Sequence, residues 1–242
     1  VLEEIADRQP IGVSELARAL DLPKTTIHRS LQVLQKTGWI EAIEAGRPLW
    51  ALSIKALSVG SLAVNSQGAL RAVALPAMES LRRATGETVH LNLYHRDSTV
   101  LVERLDGLNP TRTFNALGGT VTLHPTASGR VRLSLMKEEE LERYLAHPHR
   151  SPYELTPEKA DELRRLLPMF RDRGYTETLG GLFEGVNAIA APIFAGSRTL
   201  IGALSVSAPA ERMDAEARAG FAGLLLDAAR DISTGMRVRR AG

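Results

Sequence analysis

The stretch Glu15-Leu16-Ala17-Arg18-Ala19-Leu20-Asp21-Leu22-Pro23-Lys24-Thr25-Thr26-Ile27-His28-Arg29-Ser30-Leu31, continuing through Leu34, Lys36 and Gly38, decides how the chain begins. Ser14 reads as an N-cap, its hydroxyl able to accept from a free backbone N–H, for a helix over Glu15 to Leu20 that buries Leu16, Ala19 and Leu20. Asp21-Leu22-Pro23 ends that helix, and Pro23 suits the opening of the next, where a missing N–H costs nothing. Over Lys24 to Lys36, Ile27, Leu31 and Leu34 recur at helical spacing and form one apolar stripe. Opposite lie Thr25, His28, Gln32 and Gln35, flanked by Lys24 and Arg29, with no acidic residue. Two short helices joined by a tight turn, the second polar and basic outside, meet the needs of a major-groove reader. Taken alone, the same face also suits a solvated helix on an ordinary bundle.

The flanks favour the first reading. Val1 to Arg8 fits the end of an amphipathic helix with Leu2 and Ile5 inward, broken by Gln9-Pro10-Ile11-Gly12. After Gly38, Trp39 to Ile43 alternates as a short strand, Glu44 to Pro48 turns, and Leu49 to Leu52 returns. A hairpin directly after a reading helix is a wing, and Arg47 at its tip can meet phosphate or the minor groove. From Lys24 to Lys55 the bases Lys24, Arg29, Lys36, Arg47 and Lys55 face only Glu41 and Glu44, a modestly positive patch. The candidate DNA-contacting residues are Lys24, Thr25, Thr26, His28, Arg29, Gln32 and Arg47.

At 242 residues the chain exceeds a usual ~100–150-residue domain, so two domains are expected. A hydrophobic content of 44% with 24% charged residues is that of a soluble globular protein with material for a core. No run approaches the ~20 apolar residues of a membrane helix. Zero cysteines exclude disulfides, thiol nucleophiles and thiolate metal sites, and a cytoplasmic protein is expected. The first residues do not read as a signal peptide, and the missing initiator Met leads us to expect further residues before Val1. The net charge of +2 is too small to argue for nucleic acid, so the distribution of charge must.

From Glu15 through Leu34 and Gly38 the sequence resembles the DNA-binding domain of IclR-type bacterial transcription regulators. Thr85-Gly86-Glu87-Thr88-Val89 and Leu123-His124-Pro125-Thr126-Ala127-Ser128-Gly129-Arg130 are similar to that family's effector domain. So are Arg173-Gly174-Tyr175, Gly185 to Pro192, and Ala203-Leu204-Ser205-Val206-Ser207-Ala208-Pro209. Each motif is weak alone, and their succession in the family's order is specific. The resemblance implies a two-domain regulator. A winged helix-turn-helix over 1–53 is joined by a linker helix over 54–72 to an α+β, GAF-like effector domain over 73–242. It also implies that the linker helix helps to pair protomers into a homodimer or homotetramer. The alternative is a linker that packs only on its own chain.

In the second domain, Thr88 to Tyr94 alternates, with Val89, Leu91 and Leu93 on one face and Thr88, His90, Asn92 and Tyr94 on the other. Thr99 to Leu105 returns as its partner. Helices are expected over Pro76 to Arg83, Thr126 to Met136, Glu138 to Leu145, Pro157 to Arg173 and Glu211 to Met236, with strands over Val186 to Phe194 and Thr199 to Ser207. Helices are expected to cover one face of the sheet. Ala203, Ser205 and Ser207 share a strand face, where small side chains leave space and two hydroxyls can orient a polar ligand. Close packing is the plainer reading of the same row.

The resemblance places Ser205, Ser207, Gly129 and Ala188 in the effector pocket, with Ser128 and Thr178 as further candidates. Free N–H groups at the helix start near Gly129 would favour a carboxylate, so a small organic acid is the expected effector. The family usually carries an acidic pair where this chain has Thr178-Leu179-Gly180-Gly181, and an aliphatic residue at Arg132, which is expected at a solvent edge.

Catalysis has little support in the sequence, and no cofactor or metal is expected. His147-Pro148-His149 makes no complete ligand set, and Gly118-Gly119 and Gly180-Gly181 fit no phosphate loop. His124 with Ser128 is a conceivable base–nucleophile pair, read more simply as a structural turn. Competing with the regulator are a ligand-binding module whose winged helix serves protein contacts, and a hydrolase with an accessory winged helix.

Overall fold

The apolar stripe of the second short helix organises the N-terminal unit. The computed structural model describes residues 1–43, 48–66, 68–110, 115–147, 149, 154–196 and 199–238. It divides into two units, Val1–Gln67 and Gly68–Gly242. In the first, α1 (Leu2–Arg8), α2 (Val13–Leu20) and α3 (Lys24–Lys36) enclose a core with β1 (Ile40–Ala42) and β2 (Trp50–Leu52). Ile27 and Leu31 of α3 are buried there against Ile5, Ile11, Leu16, Ile40 and Trp50. β1 and β2 pair antiparallel, and Ile11 bridges to Trp50, fastening the hairpin beneath the helices.

Ser14 is not the cap expected of it. α2 begins one residue earlier, at Val13, with Gly12 at the N-cap and no side-chain cap bond. The Ile11–Trp50 bridge holds the approaching chain extended, so the Gly12 carbonyl accepts the first helical bond, from the Leu16 N–H. Ser14 then lies inside the first turn. Asp21 ends α2 in the left-handed conformation, and Pro23 stands at the N-cap of α3.

Two helices occupy the region read as one connector. α4 spans Ile54–Ser66, and α5 runs Gly68–Thr85 straight through Pro76. Leu70, Ala74, Met78 and Leu81 recur on one side of α5 and are all buried, so packing holds the helix together across a residue that lacks an N–H.

The second unit is built on a six-stranded sheet in the order β5-β4-β3-β8-β7-β6, every neighbouring pair antiparallel. The strands are β3 (Thr88–His95), β4 (Ser98–Leu105), β5 (Thr120–Thr122), β6 (Thr176–Leu179), β7 (Val186–Ala195) and β8 (Thr199–Pro209). Helices cover both faces, not one. Val89, Leu91, Ile189, Leu204 and Val206 pack on α5 and the closing helix α9 (Ala215–Val238). On the reverse, Ala190 and Ala203 pack on Ala127 and Val131 of α6 (Ala127–Leu135). α7 (Glu138–Ala146) and α8 (Pro157–Arg173) share a further core with α6. The one-face expectation failed because the central strands β7 and β8 are apolar or small on both sides. α9 starts later than Glu211, since Asp214 caps it by accepting from the Ala217 N–H, after a short 3-10 turn over Ala210–Arg212.

Candidate DNA-reading face and effector cavity

On α3, Lys24, Thr25, Thr26, His28, Arg29 and Gln32 are all exposed, while Ile27 and Leu31 point into the core. The amphipathic spacing thus presents six hydrogen-bonding or cationic side chains along one solvent-facing helix. Among the described residues, Lys24 and Arg29 form no ion pair that would draw them from a phosphate. Lys55, counted above with the basic patch, is otherwise engaged. Its ammonium donates to the Thr37 carbonyl at 2.6 Å and lies 5.3 Å from the Trp39 ring centre, tying the start of α4 to the end of α3. Arg47 lies outside the described residues.

In the second unit, antiparallel register gathers the effector candidates. Thr178, Ala188, Ser207 and Thr88 stand opposite one another across β6, β7, β8 and β3. The next rung on the same face is Thr176, Ala190, Ser205 and His90. The start of α6 lies over these rungs, held by a web of hydrogen bonds. Thr126 caps the helix by accepting from the Gly129 N–H at 2.9 Å. The Thr176 hydroxyl donates to the Ala127 carbonyl, and the Tyr94 hydroxyl to the Ser128 carbonyl. Asn92 Nδ2 donates to the Ser128 hydroxyl at 3.0 Å and reaches the Ser205 hydroxyl at 3.5 Å. Arg130 fixes the turn from outside, donating to the carbonyls of His124 and Glu177.

Between this helix start and the sheet lies a cavity of about 160 Å³. Ser128, Thr178, Ala188, Ser205 and Ser207, named above as effector candidates, line it. His90, Asn92, Asn115 and Phe183 also line it and were not among the candidates. Strand alternation had put His90 and Asn92 on one face, but nothing in the sequence told which face would be hollow. Among the described residues no Lys, Arg, Asp or Glu is on the wall. Burial, reinforced by the charge of Arg104 and opposed by Asp106, pushes the His90 imidazole down to about 4, so it is neutral near pH 7. Burial also raises the Tyr94 phenol, which remains protonated and donating.

Gly129 is corrected by the structure. It does not line the cavity, and its N–H is taken by Thr126. A Cβ at Gly129 would stand 2.0 Å from the Leu123 carbonyl oxygen, so the glycine permits close packing of α6 on the preceding loop. The other first-turn N–H groups of α6 are those of Ala127 and Ser128.

His124 and Ser128 are each engaged by other partners. The His124 ring bonds the Tyr144 hydroxyl at 2.9 Å, while the Ser128 hydroxyl serves Asn92. His149 Nε2 bonds the Tyr144 carbonyl, Pro148 lies outside the described residues, and among those described no three potential ligands gather for a metal. Arg132 keeps to the edge, 3.8 Å from Glu140 and beside the Tyr94 ring.

A helix with an exposed polar and cationic face in one unit, and a cavity lined in part by hydroxyls in the other, agree with what the chain matches. Residues 1–43 match the IclR helix-turn-helix domain, and residues 62–234 match the bacterial transcriptional regulator IclR C-terminal domain. The chain belongs to the IclR family. It is 29% identical over 237 residues to the HTH-type transcriptional regulator KdgR of Escherichia coli K12, covering 98% of this chain and 89% of that protein. A putative IclR regulator from Silicibacter sp. TM1040 superposes with a TM-score of 0.78 at 28% identity, covering 93% of this chain and 89% of that one. An IclR homologue from Microbacterium hydrocarbonoxydans, crystallised with 4-hydroxybenzoate, gives a TM-score of 0.73 at 26% identity, covering all of this chain and 97% of that one. The protein is therefore a DNA-binding transcriptional regulator of the IclR family with a C-terminal effector domain. Among the described residues no helix is long and apolar enough to cross a membrane.

Proposed function

We propose that α3 enters the major groove of an operator through Lys24, Thr25, Thr26, His28, Arg29 and Gln32, with Arg47 as a wing contact, and that a small organic acid in the C-terminal cavity modulates this binding. The domains would divide as 1–53 for reading, 54–72 for connection and 73–242 for the effector. The cavity carries the reading of the ligand. At about 160 Å³ it matches the ~150 Å³ of an engineered cavity that accommodates benzene, which favours a compact ligand. Among the described residues its wall offers hydroxyls and amides and no cation. A carboxylate would therefore rest on the Ala127 and Ser128 N–H groups at the positive end of α6, with Ser205 and Ser207 orienting the remainder. The 4-hydroxybenzoate bound to the Microbacterium homologue is an acid of this size class.

The regulator would act without catalysis, in the cytoplasm, as a homodimer or homotetramer, because paired half-sites require paired reading heads. Ile54 and Leu62 on α4 are 78% and 67% exposed, an apolar surface suited to a second copy. The effector would work by binding two arrangements of the reading heads unequally, since equal affinity would shift nothing. The test is to titrate small organic acids into the protein bound to DNA from its own upstream region. Release or tightening by an acid, lost in Ser205→Ala/Ser207→Ala without loss of folding, supports the reading. If that double variant still responds fully, the effector site is not this cavity.

A further inference from the structure

His90 is buried to 4% exposure on the cavity wall, opposite Ser205 across the β3–β8 ladder. Its Nε2 finds no hydrogen-bond partner among the described residues, although it is shut away from solvent. Buried polar atoms are nearly always paired, and an unpaired one on a residue that lines a cavity is a candidate partner for a group brought by the cavity's occupant. The neighbouring polar side chain is already committed, Asn92 to Ser128 and Ser205. Among the described residues the wall carries no formal charge, and the neutral imidazole offers one donor and one acceptor. A carboxylate, which only accepts, can use the donating nitrogen alone. A hydroxyl matches either tautomer, because it both donates and accepts.

We propose that His90 is a specificity-determining residue of the effector cavity and that its imidazole receives a hydroxyl group of the effector, making the effector class hydroxy acids in preference to plain acids. This rests on the cavity being the effector site. The carboxylate would lie at the start of α6 and the hydroxyl against β3. The two recognition points then stand on opposite walls, and a ligand must span them to satisfy both. A site that hydrogen-bonds a ligand hydroxyl rejects the analogue lacking it far more strongly than an apolar pocket rejects one methylene.

The experiment is calorimetric titration of the full chain with matched pairs: 4-hydroxybenzoate against benzoate, and 3-hydroxypropionate against propionate. Wild type, His90→Asn and His90→Phe are compared. We expect at least one hydroxylated member to bind wild type tenfold or more tightly than its parent. His90→Phe abolishes that difference, and His90→Asn keeps part of it. A second readout needs no variant: the imidazole nitrogen resonances of His90 in the wild type shift with the hydroxylated member and not with the parent. Equal binding within every pair, or a difference that survives in His90→Phe, overturns the role of His90 and leaves the cavity assignment standing. Binding of no acid by wild type overturns both, and that outcome is distinguishable from failure of His90 alone.

Discussion

Gly129 shows how a residue can shape a cavity it does not touch. Replacing it with Ala would drive a Cβ into the Leu123 backbone, a collision that no side-chain rotation relieves. Overpacking of this kind costs roughly 1–3 kcal/mol or more. Gly129→Ala should therefore lower the urea midpoint and weaken any response to effector, by displacing Ala127 and Ser128. Unchanged stability would mean that α6 can shift freely on its loop. His90 is the second informative residue. Its ordinary value of 6.5 falls to about 4 in the fold, so the folded protein holds it neutral where the unfolded chain takes up a proton. Stability from this group is fully present above about 6.5 and is lost progressively as pH falls towards about 4. At pH 5 the loss is on the order of 2 kcal/mol. Unfolding in urea at pH 7.5 and pH 5 should give a smaller fall for His90→Phe than for wild type, and equal falls would contradict the burial. Of the cavity residues, the two serines were legible because small residues alternated along one strand, and His90 was legible only as a member of a face. Its importance depends on α6 leaving a space, which no local pattern encodes.

Elements with a strong internal period were read well. α8 begins and ends at the residues expected, because Thr156 caps it, Pro157 opens it and Gly174 closes it in the left-handed conformation. Ser14 was misread because capping depends on how the chain arrives, and a long-range bridge to Trp50 sets that approach. β5, three residues at the sheet edge, is too short to carry a period. Two predictions belong at this scale. Thr126→Ala removes the cap of α6 and should destabilise the protein by about 1 kcal/mol, with weaker acid binding as the first turn loosens. In α3, Arg29→Ala should reduce the dependence of DNA affinity on salt by about one counterion. Gln32→Ala, if Gln32 reads a base, should cost roughly 1–3 kcal/mol of sequence discrimination. Titrations across a salt series on operator and random duplex separate the two effects.

At the scale of the whole molecule, the order of motifs along the chain made the family and the two-unit plan legible. The layering of the second unit was not. Burial of β7 and β8 on both sides follows from where α6 returns, a long-range outcome that a strand of small residues does not announce. Pairing of chains is likewise a question for the assembled protein. Ile54→Glu/Leu62→Glu should shift sedimentation towards a smaller species and weaken operator binding together, whereas unchanged sedimentation would place the pairing surface elsewhere. The central claim is that α3 reads an operator. Its most direct test is fluorescence anisotropy on fragments of the gene's own upstream region, across a salt series, for wild type and His28→Ala/Arg29→Ala. The account predicts tight, salt-sensitive binding to one fragment over random DNA, abolished by the double substitution while the fold persists. Binding no stronger than to random DNA, or specific binding that the substitution leaves intact, would contradict it.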